Sequence, residues 1–155
     1  MKTRYILYAA LAAFVVIGGV LVMSRFAAAP QAASVQEVGL RTVQLRGQSI
    51  RVLVADTGAS REKGLSGRSG LAADEGMLFV FPQDGKYAFW MKDMLFSIDI
   101  LWLSSDGAVV FMAKNVSPDT YPRAFAPDGP ARYVLELPAG FIEENSVAVG
   151  DIVRL

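Results

Sequence analysis

The sequence predicts a mainly β (α+β) domain. The expected form is a compact curled or barrel-like sheet, antiparallel or mixed, with one or two short helices. Three observations carry this. Six to eight short apolar runs are separated by Gly-, Pro- and Asp-containing turn signals. No run beyond Leu40 has the length of a crossover helix. The 155 residues suggest one domain of ordinary size.

The first segment stands apart from that domain. Residues 1–26 read as an N-terminal membrane anchor or a signal peptide. Tyr5 to Ser24 is an uncharged run of 20 residues, with Tyr5, Phe14 and Met23 spread along it. At about 1.5 Å per residue, such a helix crosses a hydrocarbon core of about 30 Å. Signal-peptide apolar regions are shorter, about 7–15 residues, which favours an uncleaved anchor. Ala27, Ala28 and Ala29 fit a cleavage site and favour removal. Lys2 and Arg4 hold the N-terminus inside, so the domain is expected on the extracytoplasmic side. It is either anchored to the inner membrane and facing the periplasm, or released there after cleavage. Residues 27–39 read as a flexible tether, and residues 40–155 as the domain.

Along the domain, Val43 and Leu45, then Ile50, Val52 and Val54, alternate with polar residues about a Gly47-Gln48 turn, as in a hairpin. Asp56 or Thr57 is placed to cap a short helix over Ala59–Lys63, and Gly64 to end it. Two turns need a docking surface to persist, and Leu65 and Leu71 are the expected anchors. "GMLFVF", Gly76 to Phe81, is a compact apolar strand that Pro82 should stop. "AVVFMAKNV" follows the "SSDG" turn as another strand. Four prolines make residues 117–130 a loop. "RYVLELP" places Tyr133, Leu135 and Leu137 on one face, Val134 and Glu136 on the other. A helical turn in "AGFIEENSVAVGD" and a short strand at "IVRL" complete the domain.

"FWMKDMLFSIDILWL", Phe89 to Leu103, sets a lysine and two aspartates in an apolar run. As one strand it opposes Phe89, Met91 and Asp93 to Trp90, Lys92 and Met94. Its second half is apolar on both faces, so it should be covered on both. Phe89 and Trp102 then belong to the core. Asp99, between Leu101 and Leu103, would be buried, and an unpaired buried carboxylate costs several kcal/mol. It needs a partner: backbone amides, Lys92, Arg68 or Arg132. These charges can equally fix a turn or a strand register and do no chemistry.

Composition excludes several functions. The chain has no cysteine and no histidine. That removes disulfides, thiol catalysis, thiolate metal sites and the commonest general base. Only Lys2, Arg4 and Arg25 of the 15 basic residues precede the tether. All 15 acids follow Arg25, so the rest carries a net charge of −3. A nucleic-acid partner, which needs clustered Lys and Arg, is not expected. No metal-ligand spacing, phosphate loop or nucleophile elbow appears, so no metal, cofactor or catalytic residue is assigned.

"GLSGRSGLAADEGMLFVFPQ", "FWMKDMLFSIDILWLSSDG" and "ARYVLELPAGFIEENSVAVGD", in this order, resemble the DUF192 family over about residues 40–155. The resemblance implies a compact mainly β domain, behind a signal or anchor in many members, and no established reaction. The family motif usually continues W-M-K with Asn and Thr, where this chain has Asp93 and Met94. An Asn donates and accepts, whereas an ionised Asp only accepts. Many members carry a cysteine in the loop matching residues 117–130; a thiol role does not apply to this chain.

The first functional reading is a small extracytoplasmic binding or accessory module for a polar or anionic ligand. Its site would use Arg68, Trp90, Lys92, Asp93, Asp99 and Glu136, with Trp90 as a stacking platform and Lys92 or Arg68 holding an anion. Each also has a plain structural role open to it: Arg68 at a helix end or paired with Asp74 or Glu75, Glu136 on a solvent face. The alternatives are a protein-interaction domain presenting Tyr121 and Phe125, or a carboxylate- or lysine-based hydrolase drawing on Asp93, Asp99 and Glu136.

Overall fold

The computed structural model describes residues 39–155. The expected anchor or signal segment, with Tyr5, Phe14 and Met23, and the tether up to residue 38 lie outside the described residues. Among the described residues, no helix is long and apolar enough to cross a membrane.

Strand β5, Ile98–Leu103, is buried at all six positions, as a run apolar on both faces requires. It sits inside a six-stranded mixed sheet. The other strands are β1 (Leu40–Leu45), β2 (Gln48–Ala55), β3 (Glu75–Gly85), β6 (Val109–Val116) and β8 (Ala131–Pro138). Their spatial order is β1-β2-β3-β8-β5-β6. Only β2 and β3 run parallel. Helix α1, Gly58–Lys63, lies in the connection that this parallel pair demands. The sheet does not close into a barrel. Near the C-terminus, two isolated bridges join Arg154 to Gln44 of β1 and Ile152 to Ala108, which precedes β6. These bridges stand where "IVRL" was expected to form a strand.

Several local expectations shift for identifiable reasons. The β1–β2 turn is Arg46-Gly47, one residue earlier than read, with φ of 52° and 82°. Two left-handed residues give a hairpin turn whose twist matches the strands it joins. Thr57 caps α1: its Oγ1 accepts from the Ser60 N–H at 3.1 Å, and Ser60 Oγ accepts from the Thr57 N–H at 3.0 Å. Gly64, at φ 47°, donates to the Ser60 carbonyl. The helix buries no residue of its own. It is held by Leu65, which is buried, and Leu71, which packs against the same core. Pro82 does not stop β3: the ladder with β8 breaks after Val80 and resumes at Gly85, and the proline falls in the break. Among the prolines of loop 117–130, a 3₁₀ turn (Pro118–Thr120) and a two-residue strand β7 (Ala124–Phe125) still form. Strand β7 pairs with β4, Phe89–Trp90.

The sheet separates two cores. On one face Leu101, Leu103, Leu135 and Leu137 pack under helix α2, Phe141–Glu144, through Phe141 and Ile142. On the other, Met77, Phe79, Ile98, Ile100, Trp102 and Val134 pack under Leu65, Met91 and Met94. The alternation read in "RYVLELP" holds. Trp102 is fully buried, and its indole N–H donates to the Tyr87 carbonyl at 2.8 Å.

Each core contains one carboxyl group. Asp99 is fully buried on the α2 face. Its Oδ1 accepts from the Asn115 N–H at 2.7 Å and its Oδ2 from the Ile142 N–H at 2.8 Å. The partners are therefore backbone amides, not Lys92, Arg68 or Arg132; Arg132 pairs with Asp84 at 2.7 Å. Both amides need this acceptor. Ile98 opposes Val116 and Ile100 opposes Ala113, so Asp99 faces a bulge over Lys114-Asn115, which leaves an N–H outside the ladder. Helix α2 has Gly140 at its N-cap and no side-chain cap of its own.

Glu136 lies on the opposite face, between Met77 and Ile100. It is buried, not on a solvent face, and its Oε2 has no hydrogen-bond partner. Burial pushes its carboxyl up to about 8.

Asp99→Ala strands the buried Ile142 amide and the part-buried Asn115 amide and should lower unfolding stability by about 3–5 kcal/mol. Asp99→Asn sets an NH₂ against one of the two N–H donors and should lose about 2–3 kcal/mol. Guanidinium midpoints measure both, and a loss below about 1 kcal/mol in each would show that the carboxyl does not hold these elements. Glu136 binds its proton more tightly folded than unfolded. The contribution of Glu136 to stability should therefore be fully present below the ordinary pKa of 4.5, fall on the order of a few kcal/mol up to about 8, and then level off. Glu136→Gln should flatten that fall; an unchanged pH profile in the variant would contradict the assignment.

Candidate functional site

The charges of "FWMKDM" do not lie in a strand. Pairing ends at Trp90, and Met91–Met94 forms a turn in which the Met94 N–H donates to the Met91 carbonyl at 3.3 Å. Asp93 occupies its third position with φ 56°. That left-handed conformation is one which Asp and Asn tolerate better than other side chains. The α1 end is stitched to this turn: Gly67 N–H donates to the Asp93 carbonyl at 2.9 Å, and Ser66 Oγ to the Lys92 carbonyl at 3.0 Å. Met91 and Met94 point into the core while Lys92 and Asp93 stand outside.

The turn forms one wall of an open cleft of about 650 Å³ between α1 and the β3–β4 stretch. This volume is within the range of small-molecule sites. Phe79, Phe81, Tyr87, Phe89 and Trp90 line its apolar side. Arg61, Glu62 and Lys63 face it from α1, and Lys92 and Asp93 from the turn.

The aromatic side is a fixed stack. Phe81 stacks on Tyr87, with centroids 3.5 Å apart, and the Arg61 guanidinium lies over the Phe81 ring, 5.2 Å from its centre. Phe89 meets Phe79 at 4.8 Å and Trp102 at 5.9 Å, both nearly perpendicular. Arg61 Nη1 also donates to the carbonyls of Asp56 at 2.6 Å and Val80 at 2.8 Å, which ties α1 to β3. Trp90 differs: it is 57% exposed, with only an edge contact to Tyr121 at 6.1 Å.

Of the six residues singled out from sequence, the cleft brings together Trp90, Lys92 and Asp93. Arg68 lines a separate cavity of about 50 Å³ with Leu53 and Leu71. Its backbone N–H donates to Leu65, and Asp74 and Glu75 are paired with Arg51, at 3.0 and 3.2 Å, not with Arg68. Asp99 and Glu136 lie in the cores on opposite faces of the sheet, so an acid–base pair drawn from them is not assembled. Sequence reasoning passed over Arg61, Glu62 and Lys63. Their signal was a helix with no apolar stripe, which has a polar face to spare. Among the described residues, no group of three or more metal-ligating side chains is brought together.

Comparison with known proteins places this geometry in a family. The DUF192 family model, described as "Uncharacterized ACR", matches residues 41–155. A UPF0127 protein of Thermococcus sibiricus is 32% identical over 103 residues, covering 65% of this chain. The match spans 63% of that relative's own length. A solved structure from Sinorhizobium meliloti 1021, named provisionally as a transcription regulator, aligns with a TM-score of 0.72 at 31% identity. It covers 76% of this chain and 95% of its own. A protein of unknown function from Novosphingobium aromaticivorans DSM 12444 aligns with a TM-score of 0.73 at 29% identity, over 83% and 94% of the two chains. With nearly the whole domain matched in sequence and in backbone, the chain belongs to the uncharacterised DUF192 family.

Proposed function

We propose that this protein is a small-ligand binding module, displayed on the extracytoplasmic side of a membrane. One observation carries the binding role: an exposed tryptophan stands beside a lysine and an aspartate at the rim of a cleft whose apolar wall is already packed. A ligand there meets a rigid surface and loses little free energy to reorganising it. The display rests on the sequence alone, through the uncharged run Tyr5–Ser24 and the preceding Lys2 and Arg4. The ligand class is polar or anionic, because the cleft rim is charged.

A protein-interaction face on loop 117–130 is the second reading. Tyr121 supports it, being 46% exposed. Phe125 does not, since it is half-buried against β4 with Arg123 over its ring at 4.7 Å.

Trp102 is sealed in the core, so ligand-dependent fluorescence changes should come from Trp90. In a screen of sugars, nucleotides and organic anions, a binder should raise the thermal midpoint and alter Trp90 emission. Lys92→Ala should weaken an anionic binder at least about tenfold while the protein stays folded. A screen in which nothing perturbs Trp90 would remove the binding role. For the display, alkaline phosphatase fused after Leu155 should be active in cells; an inactive but stable fusion would remove it.

A further inference from the structure

We infer that the cleft takes a monoanionic saccharide, a sugar ring bearing one carboxylate, an inference that rests on the binding role proposed above. Four features of the cleft select this chemistry. First, it offers one well-exposed aromatic ring. Phe79 is buried and Phe81, Tyr87 and Phe89 are half-buried, which leaves Trp90. A single exposed indole against an open groove suits the C–H face of a sugar ring, which meets the negative face of the aromatic system.

Second, two lysines converge on the turn. The Lys63 ammonium lies 3.7 Å from where a β-carbon on Gly67 would be, and Gly67 is bonded to Asp93. Lys92 precedes that aspartate. The ion pairs among the described residues use Arg46, Arg51 and Arg132 and neither of these lysines. Arg61 already serves two carbonyls.

Third, Glu62 and Asp93 share the rim and form no ion pair there. Both are exposed, and ionised carboxyl groups only accept, so sugar hydroxyls can replace the water that donates to them. Fourth, Arg61, Lys63 and Lys92 against Glu62 and Asp93 leave the cleft a net charge of +1, which a single ligand charge balances. A nucleotide or polyphosphate would bring several negative charges against Glu62 and Asp93. A planar aromatic acid would satisfy the lysines but offer the carboxylates no hydroxyl donors in place of water.

The test titrates the full-length protein with glucuronate, glucose, AMP and indole-3-acetate, following the Trp90 indole N–H resonance. Glucuronate should shift it saturably, and glucose should bind at least about tenfold more weakly. Lys63→Ala and Lys92→Ala should each weaken glucuronate about tenfold and leave glucose unchanged. Asp93→Asn, which keeps the left-handed turn, should narrow the preference for glucuronate over AMP. AMP or indole-3-acetate binding more tightly than glucuronate, or glucose matching it, would overturn the saccharide assignment and leave the cleft a binding site. No response of Trp90 to any probe would overturn both. Trp90 is exposed, so Trp90→Phe serves to assign the resonance without threatening the fold.

Discussion

A carboxyl group sealed from water, with each oxygen bonded to a backbone amide of a different element, organises this domain. Asp99 projects from the most buried strand and takes one N–H from the β6 bulge and one from the first turn of α2. Neither amide has another protein acceptor in reach of its own element. The bulge takes its amide out of the ladder, and α2 begins at a glycine that has no side chain to cap it. One side chain thus sets where β6 bends and where α2 docks. The α2 side of the sheet closes as a leucine-rich core as a result.

Closing that side leaves the cleft to the other. There the cover is not a helix but two irregular segments, Leu65–Leu71 and Met91–Phe96, which insert leucine and methionine side chains into the aromatic core. Irregular backbone needs its own hydrogen bonds, and the Gly67–Asp93 and Ser66–Lys92 contacts provide them between the two segments. The same contacts turn Lys92 and Asp93 outward, next to α1 and Trp90. The site is therefore a by-product of how one face of the sheet is covered. The relatives share the fold, but fold alone does not assign an activity, and the functional reading here rests on the cleft's own side chains.

Glu136 fits neither the cleft nor the other core. A row of side chains crosses the sheet as Leu53, Met77, Glu136, Ile100 and Ala113, and the carboxyl interrupts it without a hydrogen bond at Oε2. Two of the carboxylates that suggested hydrolysis in the sequence thus do different jobs in different places. Asp99 is a structural acceptor and Glu136 is a buried acid held high by desolvation.

The strand pattern can be read along the chain, because period-two alternation and turn residues are local properties. Val43 to Val54, "RYVLELP" and the Thr57-capped helix are legible that way, as is the need of Asp99 for buried partners. Trp90, Lys92 and Asp93 stand out in the apolar run, but alternation along a strand sets Asp93 opposite the other two; the Met91–Met94 turn brings all three to one cleft. Tertiary structure alone decided the rest. Whether Met91–Met94 continues a strand depends on the left-handed Asp93, which Gly67 and Ser66 hold from about 26 residues away. Whether Arg61 and Lys63 face Trp90 depends on where a helix without buried residues is docked. Whether Asp99 and Glu136 meet depends on which faces of two neighbouring strands they occupy, and register fixes this only once β8 has inserted between β3 and β5. Pairing across long stretches of chain carries no local signature, so it is read only from the assembled sheet.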